Sequence, residues 1–310
     1  MSIAKYYLLF LLSFSQLVAD TSDVASTLSE KLRKNIACPA SVSKAQQQGD
    51  YKAAILELQS LISNKPTSEL YLTLAVCQLQ DQQEEEAFKT FMLCLEKAKS
   101  QQNKIVSSSE KTTYNELLAL YIANSPDLDT KLGLTLKDHP DYTQCQFFLA
   151  SSMANSRKFE PFFYLFYQSY CSYPDCHMSH KTQGVIASLI LQRAKSLQEK
   201  DLWRKQALGS LGLALKQCPQ DTGLHKMLIY TASDKERKQV VQMVIQEVIA
   251  KDVQIARGEI PFYINHALWV EEPGLAQQLL DKAKTWYQYS RIIQEMQDLI
   301  DQNKAKEIHG

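Results

Sequence analysis

The sequence predicts an all-α protein: an α-solenoid of stacked antiparallel helix pairs, closed by a C-terminal capping helix. Three observations predict it. Glycine and proline are scarce, with 9 of each in 310 residues, whereas a many-stranded fold needs turn-formers at short intervals. Apolar side chains recur at helical spacing through most of the chain. One arrangement of such residues, closed by a proline, occurs three times.

Composition sets the frame. Hydrophobic residues make up 45% and charged residues 22% of the chain, which supports a packed core. Lys and Arg number 34, balanced by 34 Asp and Glu. Without a net basic field, the chain is not expected to bind nucleic acid or an anionic membrane.

The first residues form a separate object. Lys5, the apolar run at residues 6–14 and the small Ala19 have the order of a secretory signal peptide. Residues 1–19 are therefore expected to be a cleaved leader, cut after Ala19 or, as the alternative, after Ser15. The run is shorter than the roughly 20 apolar residues that a spanning helix needs. The first cysteine, Cys38, lies beyond Lys31, Arg33 and Lys34, which argues against a lipid-anchored start. No other segment is apolar enough to span a bilayer, so the mature chain is expected to be soluble.

The repeat is read from spacing. From each of Ala54, Phe162 and Ala207, inward-facing residues follow four, seven and eight positions later, and a proline follows twelve positions later, at Pro66, Pro174 and Pro219. Steps of four, three and one fall on one stripe of an α-helix. Proline lacks an N–H and ends the helix just beyond. Pro140 and Pro174 are 34 residues apart, the period of one two-helix repeat.

Gly49, Tyr51, Ala54, Leu58, Leu61, Ile62 and Pro66 resemble the second helix of a tetratricopeptide repeat. Leu72, Ala75, Val76 and Leu79, followed by Ala87, Phe91, Cys94 and Leu95, resemble the next pair, and Leu149, Ala150 and Met153 precede Phe159 in the same manner. The resemblance implies a right-handed solenoid with an open inner groove for a protein or peptide. It covers about half the chain. The predicted divisions are helix pairs at 20–102, a degenerate pair at 103–140, central pairs at 141–219, and C-terminal pairs with a cap at 220–310.

The segments between fit this plan. Ser107, Ser108, Ser109 and Glu110 read as a polar break before a helix from about Tyr114. Ser125 and Pro126 read as an N-cap with Pro in the first turn. The unit closed by Pro219 has its first helix near Leu191 and Ala194, after an insertion. Val240, Val241, Val244, Ile245, Val248 and Ile249 form a helical stripe, and Glu272, Pro273 and Gly274 open a further helix. The last helix, with Ile292, Ile293, Met296 and Ile300 on one side and polar residues on the other, is the expected cap.

Three sets of residues are candidates for function. The groove places of the resemblance fall on Gln46, Gln47, Gln80, Asp81, Gln144, Phe147, Asn155, Gln192, Lys195 and Gln198. Side-chain amides both donate and accept, which suits an extended peptide backbone. The second set is Phe163, Tyr164 and Tyr167, an aromatic surplus beside the inward stripe of Phe162, Phe166 and Tyr170. A helix apolar nearly all round is covered on every side, by this chain's own helices, a partner or another subunit. The third is Cys171, Cys176, His177 and His180, read as a zinc site, a Cys171–Cys176 disulfide, or unrelated thiols beside surface histidines. Seven cysteines in all leave an odd one.

No glycine-rich phosphate loop, His-Glu-x-x-His or Gly-x-Ser-x-Gly motif occurs. The expected role is accordingly not enzymatic and calls for no cofactor: an exported scaffold or adaptor for protein–protein interaction in the bacterial envelope. The periplasm of a Gram-negative bacterium is the expected location, with secretion as the alternative. Two other readings stand beside it, a helical-scaffold enzyme or metal- or ligand-binding module built on the Cys171–His180 cluster, and a structural homo-oligomer.

Overall fold

The computed structural model describes residues 19–98, 107–288 and 290–309. Among them are sixteen α-helices, one short 3₁₀ turn and no strand. The expected leader at 1–19 lies outside the described residues except for its last position. No helix among the described residues is long and apolar enough to cross a membrane.

The chain divides into two compact units, Met1–Ala207 and Leu208–Gly310, and the division falls inside one long helix. The first unit holds α1 (Ala19–Asn35), α2 (Ala40–Gln47), α3 (Tyr51–Asn64), α4 (Ser68–Gln80), α5 (Glu84–Ala98), α6 (Ser108–Ile122), α7 (Asp127–Asp138), α8 (Gln146–Asn155), α9 (Phe159–Ser172), α10 (His177–Arg193) and the start of α11 (Leu197–Gln217). The second holds the end of α11, then α12 (Thr222–Thr231), α13 (Asp234–Ala250), α14 (Ile260–Trp269), α15 (Pro273–Trp286) and α16 (Arg291–His309).

Consecutive helices pack as pairs: α2 with α3, α4 with α5, α6 with α7, α8 with α9, and α14 with α15. One turn joins each of these pairs. Its central residue has positive φ: Gly49 at 74°, Gln82 at 62°, Asn124 at 51°, Arg157 at 57° and Glu271 at 60°. The N–H after it reaches back five residues, as in Asp50 to Ala45, Gln83 to Gln78, Ser125 to Leu120, Lys158 to Met153 and Glu272 to Ala267, at 2.8–2.9 Å. This is a Schellman ending, which satisfies the last carbonyls of the first helix while it reverses the chain. Gln82 follows Gly49, and Arg157 follows Asn124, by 33 residues each. That spacing is close to the 34 residues between Pro140 and Pro174.

Local sequence accounts for the helix starts. Asp50 accepts the Ala53 N–H at 3.0 Å and caps α3. Ser107 accepts the Glu110 N–H at 3.1 Å, so the expected polar break is the N-cap and first turn of α6, which begins at Ser108 rather than near Tyr114. Glu110 is buried there, taking the Gln144 N–H at 2.8 Å and the Tyr173 hydroxyl at 3.2 Å. The expected insertion before Pro219 is two long helices, 17 residues in α10 and 21 in α11.

The core of the first unit centres on α9, which packs against α1, α4, α5 and α8. A one-dimensional stack would put α6 and α7 between α5 and α8, because each repeat touches only its neighbours. Here α9 meets α4 and α5 directly, and α1 lies against both α9 and α7. In the second unit the contacts follow chain order: α12 with α13, α13 with α14 and α15, α14 with α15 and α16, and α15 with α16. Helix α16 buries Ile293 and Ile300 and carries i,i+4 polar pairs outward, such as Arg291 with Glu295 and Gln294 with Asp298.

Candidate interaction surfaces

The residues expected to line one groove do not form one set. Phe147 is fully buried and meets Phe166 edge-on, with ring centroids 5.3 Å apart. Helix α9 closes the face of α8 that an open groove would expose, so Phe147 is a core residue. Gln46 donates to the Cys77 sulfur at 3.1 Å, and Gln80 donates to Glu160 at 2.5 Å. Asp81 accepts from Gln83 at 2.6 Å. Gln144 is half-buried, and Asn155 lines a small cleft between α6, α7 and α8. Gln47, Gln192, Lys195 and Gln198 are exposed.

The aromatic surplus of α9 is also core. Phe163 is fully buried, and Tyr164 and Tyr167 nearly so. Phe163 stacks on Phe91 and meets Phe88 edge-on at 5.5 Å. The Tyr167 hydroxyl donates to Glu69 at 3.2 Å and shares a 2.9 Å bond with the Ser68 hydroxyl. Burial pushes the phenols of Tyr164 and Tyr167 above their ordinary range. These residues are not an interaction patch, because the chain's own helices, α1 among them, occupy the surface that a partner would need.

The Cys/His cluster separates in the same way. Cys171 lies within α9, while Cys176 caps α10 by accepting the Ser179 N–H at 3.4 Å. Both are free thiols, so neither belongs to a disulfide. Burial pushes the Cys171 thiol up to about 11 and that of Cys176 up to about 12, as for thiols packed among apolar side chains. His177 and His180 are buried rather than at the surface. Among the described residues, no three His, Cys, Asp or Glu side chains converge as metal ligands.

The second unit presents a surface that the repeat pattern did not mark. Phe262, His266 and Trp269 occupy places i, i+4 and i+7 of α14 and share one face. Tyr230 of α12 joins them, with ring centroids 5.8 Å from Phe262 and 5.9 Å from His266. His266 continues the row to Trp269 at 6.1 Å. Trp269 is 59% exposed, and the Arg237 guanidinium lies 4.3 Å from its ring centroid. Lys226 sits 5.9 Å over Phe262. Each cation has its counter-ion within the unit, Asp234 for Arg237 and Glu259 for Lys226. The face is therefore aromatic and locally neutral. Beneath it, the Tyr263 hydroxyl and His225 Nδ1 bond at 2.8 Å, and His225 Nε2 donates to the Pro219 carbonyl at 2.8 Å. That buried link joins α12 to α14, the two helices that carry the half-buried Tyr230, Phe262 and His266 and the exposed Trp269.

No protein-family model matches this chain, and no curated protein matches it.

Proposed function

We propose that the chain is an exported, tetratricopeptide-like helical scaffold that holds a protein partner in the bacterial envelope, and that it performs no chemistry of its own. The observation that carries this reading is the row Tyr230, Phe262, His266 and Trp269 on the first helices of the C-terminal pairs. Aromatic residues and arginine are enriched in binding hot spots, because they bury large area with few torsions to freeze. Since Arg237 and Lys226 are already paired, the occupant that suits the face is an apolar or aromatic side chain on an extended peptide segment of the partner. The lead-in of Lys5, residues 6–14 and Ala19 supports export, and the recurrent Schellman turns support the helix-pair repeat.

A photo-crosslinking residue at Trp269, in the native host, tests the reading. A discrete adduct is expected there that is absent when the same group replaces exposed Leu134, and it should be lost on adding Phe262→Ala. Equal adducts at both places, or none at Trp269, overturn it. An adduct of twice the chain mass would replace it with self-association.

A further inference from the structure

Beyond the aromatic face, the first unit holds two thiols that share one partner. Cys38 lies in the connection 36–39 between α1 and α2, and Cys77 lies inside α4. The side-chain amide of Gln46, on α2, meets both sulfurs. Its Nε2 donates to Cys77 Sγ at 3.1 Å, and its Oε1 lies 3.9 Å from Cys38 Sγ. Both cysteines also belong to one small apolar cluster, with Val42, Ala54, Leu58 and Leu74. A single amide group thus spans two sulfurs whose residues are 39 positions apart in the chain.

The two thiols differ in a way that suits a two-step exchange. Cys38 is half-buried and open to a small molecule, whereas Cys77 is fully buried. Thiol–disulfide exchange starts at an accessible sulfur and passes through a mixed disulfide to a neighbouring thiol. Cys38 is held weakly. Its one thiol proton faces Gln46 Oε1 or, at 3.7 Å, the Pro39 carbonyl, and a thiol is a weak donor. It also stands between two helices, where the backbone shifts more freely than inside one. A disulfide needs Cα atoms within about 7 Å, and the Cys38 side supplies that adjustment. Burial pushes the Cys77 thiol up to about 11, and the Gln46 N–H opposes the shift by bonding to the sulfur. Cys94 and Cys176 instead bond backbone groups, the Ser68 carbonyl and the Ser179 N–H.

We propose that Cys38 and Cys77 are a disulfide-forming pair, oxidised by a small-molecule disulfide that enters at Cys38. The Cys38 thiolate attacks one sulfur of the oxidant. A mixed disulfide forms, and one small thiolate leaves. Gln46 then swings aside, and the Cys77 thiolate attacks Cys38 Sγ and expels the second small thiolate. The protons lost by Cys38 and Cys77 pass through solvent to the two leaving groups. Two protein thiols and one small disulfide thus give one protein disulfide and two small thiols. The new bond ties the connection after α1 to α4, and so holds down the end of α1, whose Arg33 reaches Glu160 of α9. The proposal does not depend on the Trp269 face, because different residues in the other unit carry that reading.

The test treats the reduced, folded full chain with oxidised glutathione, alkylates the remaining thiols and maps every cysteine by mass spectrometry. Loss of two of the seven free thiols is expected first, as a Cys38–Cys77 cross-link within one chain that dithiothreitol reverses, with an unchanged circular dichroism spectrum. Cys77→Ala should stop the reaction at a glutathione adduct on Cys38. Cys38→Ser should leave Cys77 unmodified, because the oxidant has no other way in. The unsubstituted chain decides the matter even where a variant fails to fold. Should that chain keep the glutathione adduct on Cys38, link Cys38 to a different cysteine or to another chain, or leave Cys38 unreacted, the proposal is overturned.

Discussion

Phe163 of α9 lies flat on Phe91 of α5, with ring centroids 4.1 Å apart and ring planes 11° apart. The two residues are 72 positions apart in the chain, and their stack seats the fourth helix pair directly on the second. Both are fully buried. Phe163→Ala should therefore cost about 3–5 kcal/mol, from lost transfer energy and the cavity left behind. Phe163→Glu should prevent folding of the first unit, because an unpaired charge would replace a ring in the core. Urea unfolding followed by circular dichroism checks both. A stable Phe163→Glu protein with native helical content would return α9 to the surface.

Helix α1 is the second cover of α9, and it lies in sequence just beyond the expected cleavage site. Thr21, Ala25 and Leu28 are buried, and Arg33 reaches Glu160 of α9 at 3.7 Å. Removal of residues 20–36 should leave helical signal but uncover apolar surface on α9. Increased dye binding and loss of a cooperative melt are the expected outcome. With the expected leader removed, N-terminal sequencing of the chain from its native host should find Asp20 first. A mature chain that starts beyond Asn35 would show that α1 is dispensable.

The sequence showed part of this plan and hid part of it. Ala54, Leu58, Ala207 and Leu211 were legible because a period of 3.6 residues exposes a buried stripe, and all four are fully buried. The Val24, Leu28 and Leu32 stripe of α1 matches no repeat position and adjoins the expected leader, so no repeat signal marked it. Phe147 was misplaced because the repeat pattern describes a linear stack, whereas α9 folds back over α8 and onto α4 and α5. Surface or core could not be told from the aromatic count in α9, since a surplus ring is satisfied equally by a partner or by a distant helix of the same chain. The Tyr230–Trp269 row was invisible for another reason: its members come from two helices with no matching motif, and only tertiary packing brings them together.

The turns make a separate prediction. Of the five Schellman turns within pairs, only that at Gly49 has the residue that adopts positive φ without cost. Gln82 and Arg157 hold the same conformation with a side chain, and both are exposed. A non-glycine residue there bears a penalty of roughly 1 kcal/mol. Gln82→Gly and Arg157→Gly should each stabilise the first unit by about 0.5–1 kcal/mol, and Gly49→Ala should destabilise it by a similar amount. No atom lies within 4 Å of the place where a Gly49 side chain would begin, so the cost would be conformational rather than steric. Denaturation midpoints of the three variants decide it. Unchanged midpoints for all three would mean that the turns relax freely.

His225 links stability of the second unit to pH. It is fully buried between the Tyr263 hydroxyl and the Pro219 carbonyl. Burial pushes its pKa down from 6.5 to about 4, with Lys226 acting in the same direction and the Pro219 carbonyl, Asp221 and Glu259 opposing. The folded state therefore holds a neutral ring where the unfolded chain binds a proton. Stability from this residue is fully present above about pH 6.5, declines as pH falls toward 4, and is lost below that. A depression of that size corresponds to about 3 kcal/mol across the window. His266 is lowered by burial as well, so the total slope exceeds that of His225 alone. The discriminating measurement is the difference between the native chain and His225→Gln. Glutamine does not titrate, so the variant should be less stable at pH 7 but lose less stability between pH 7 and pH 5. Parallel pH profiles for the two proteins would show that His225 is not the buried neutral ring that couples α12 to α14.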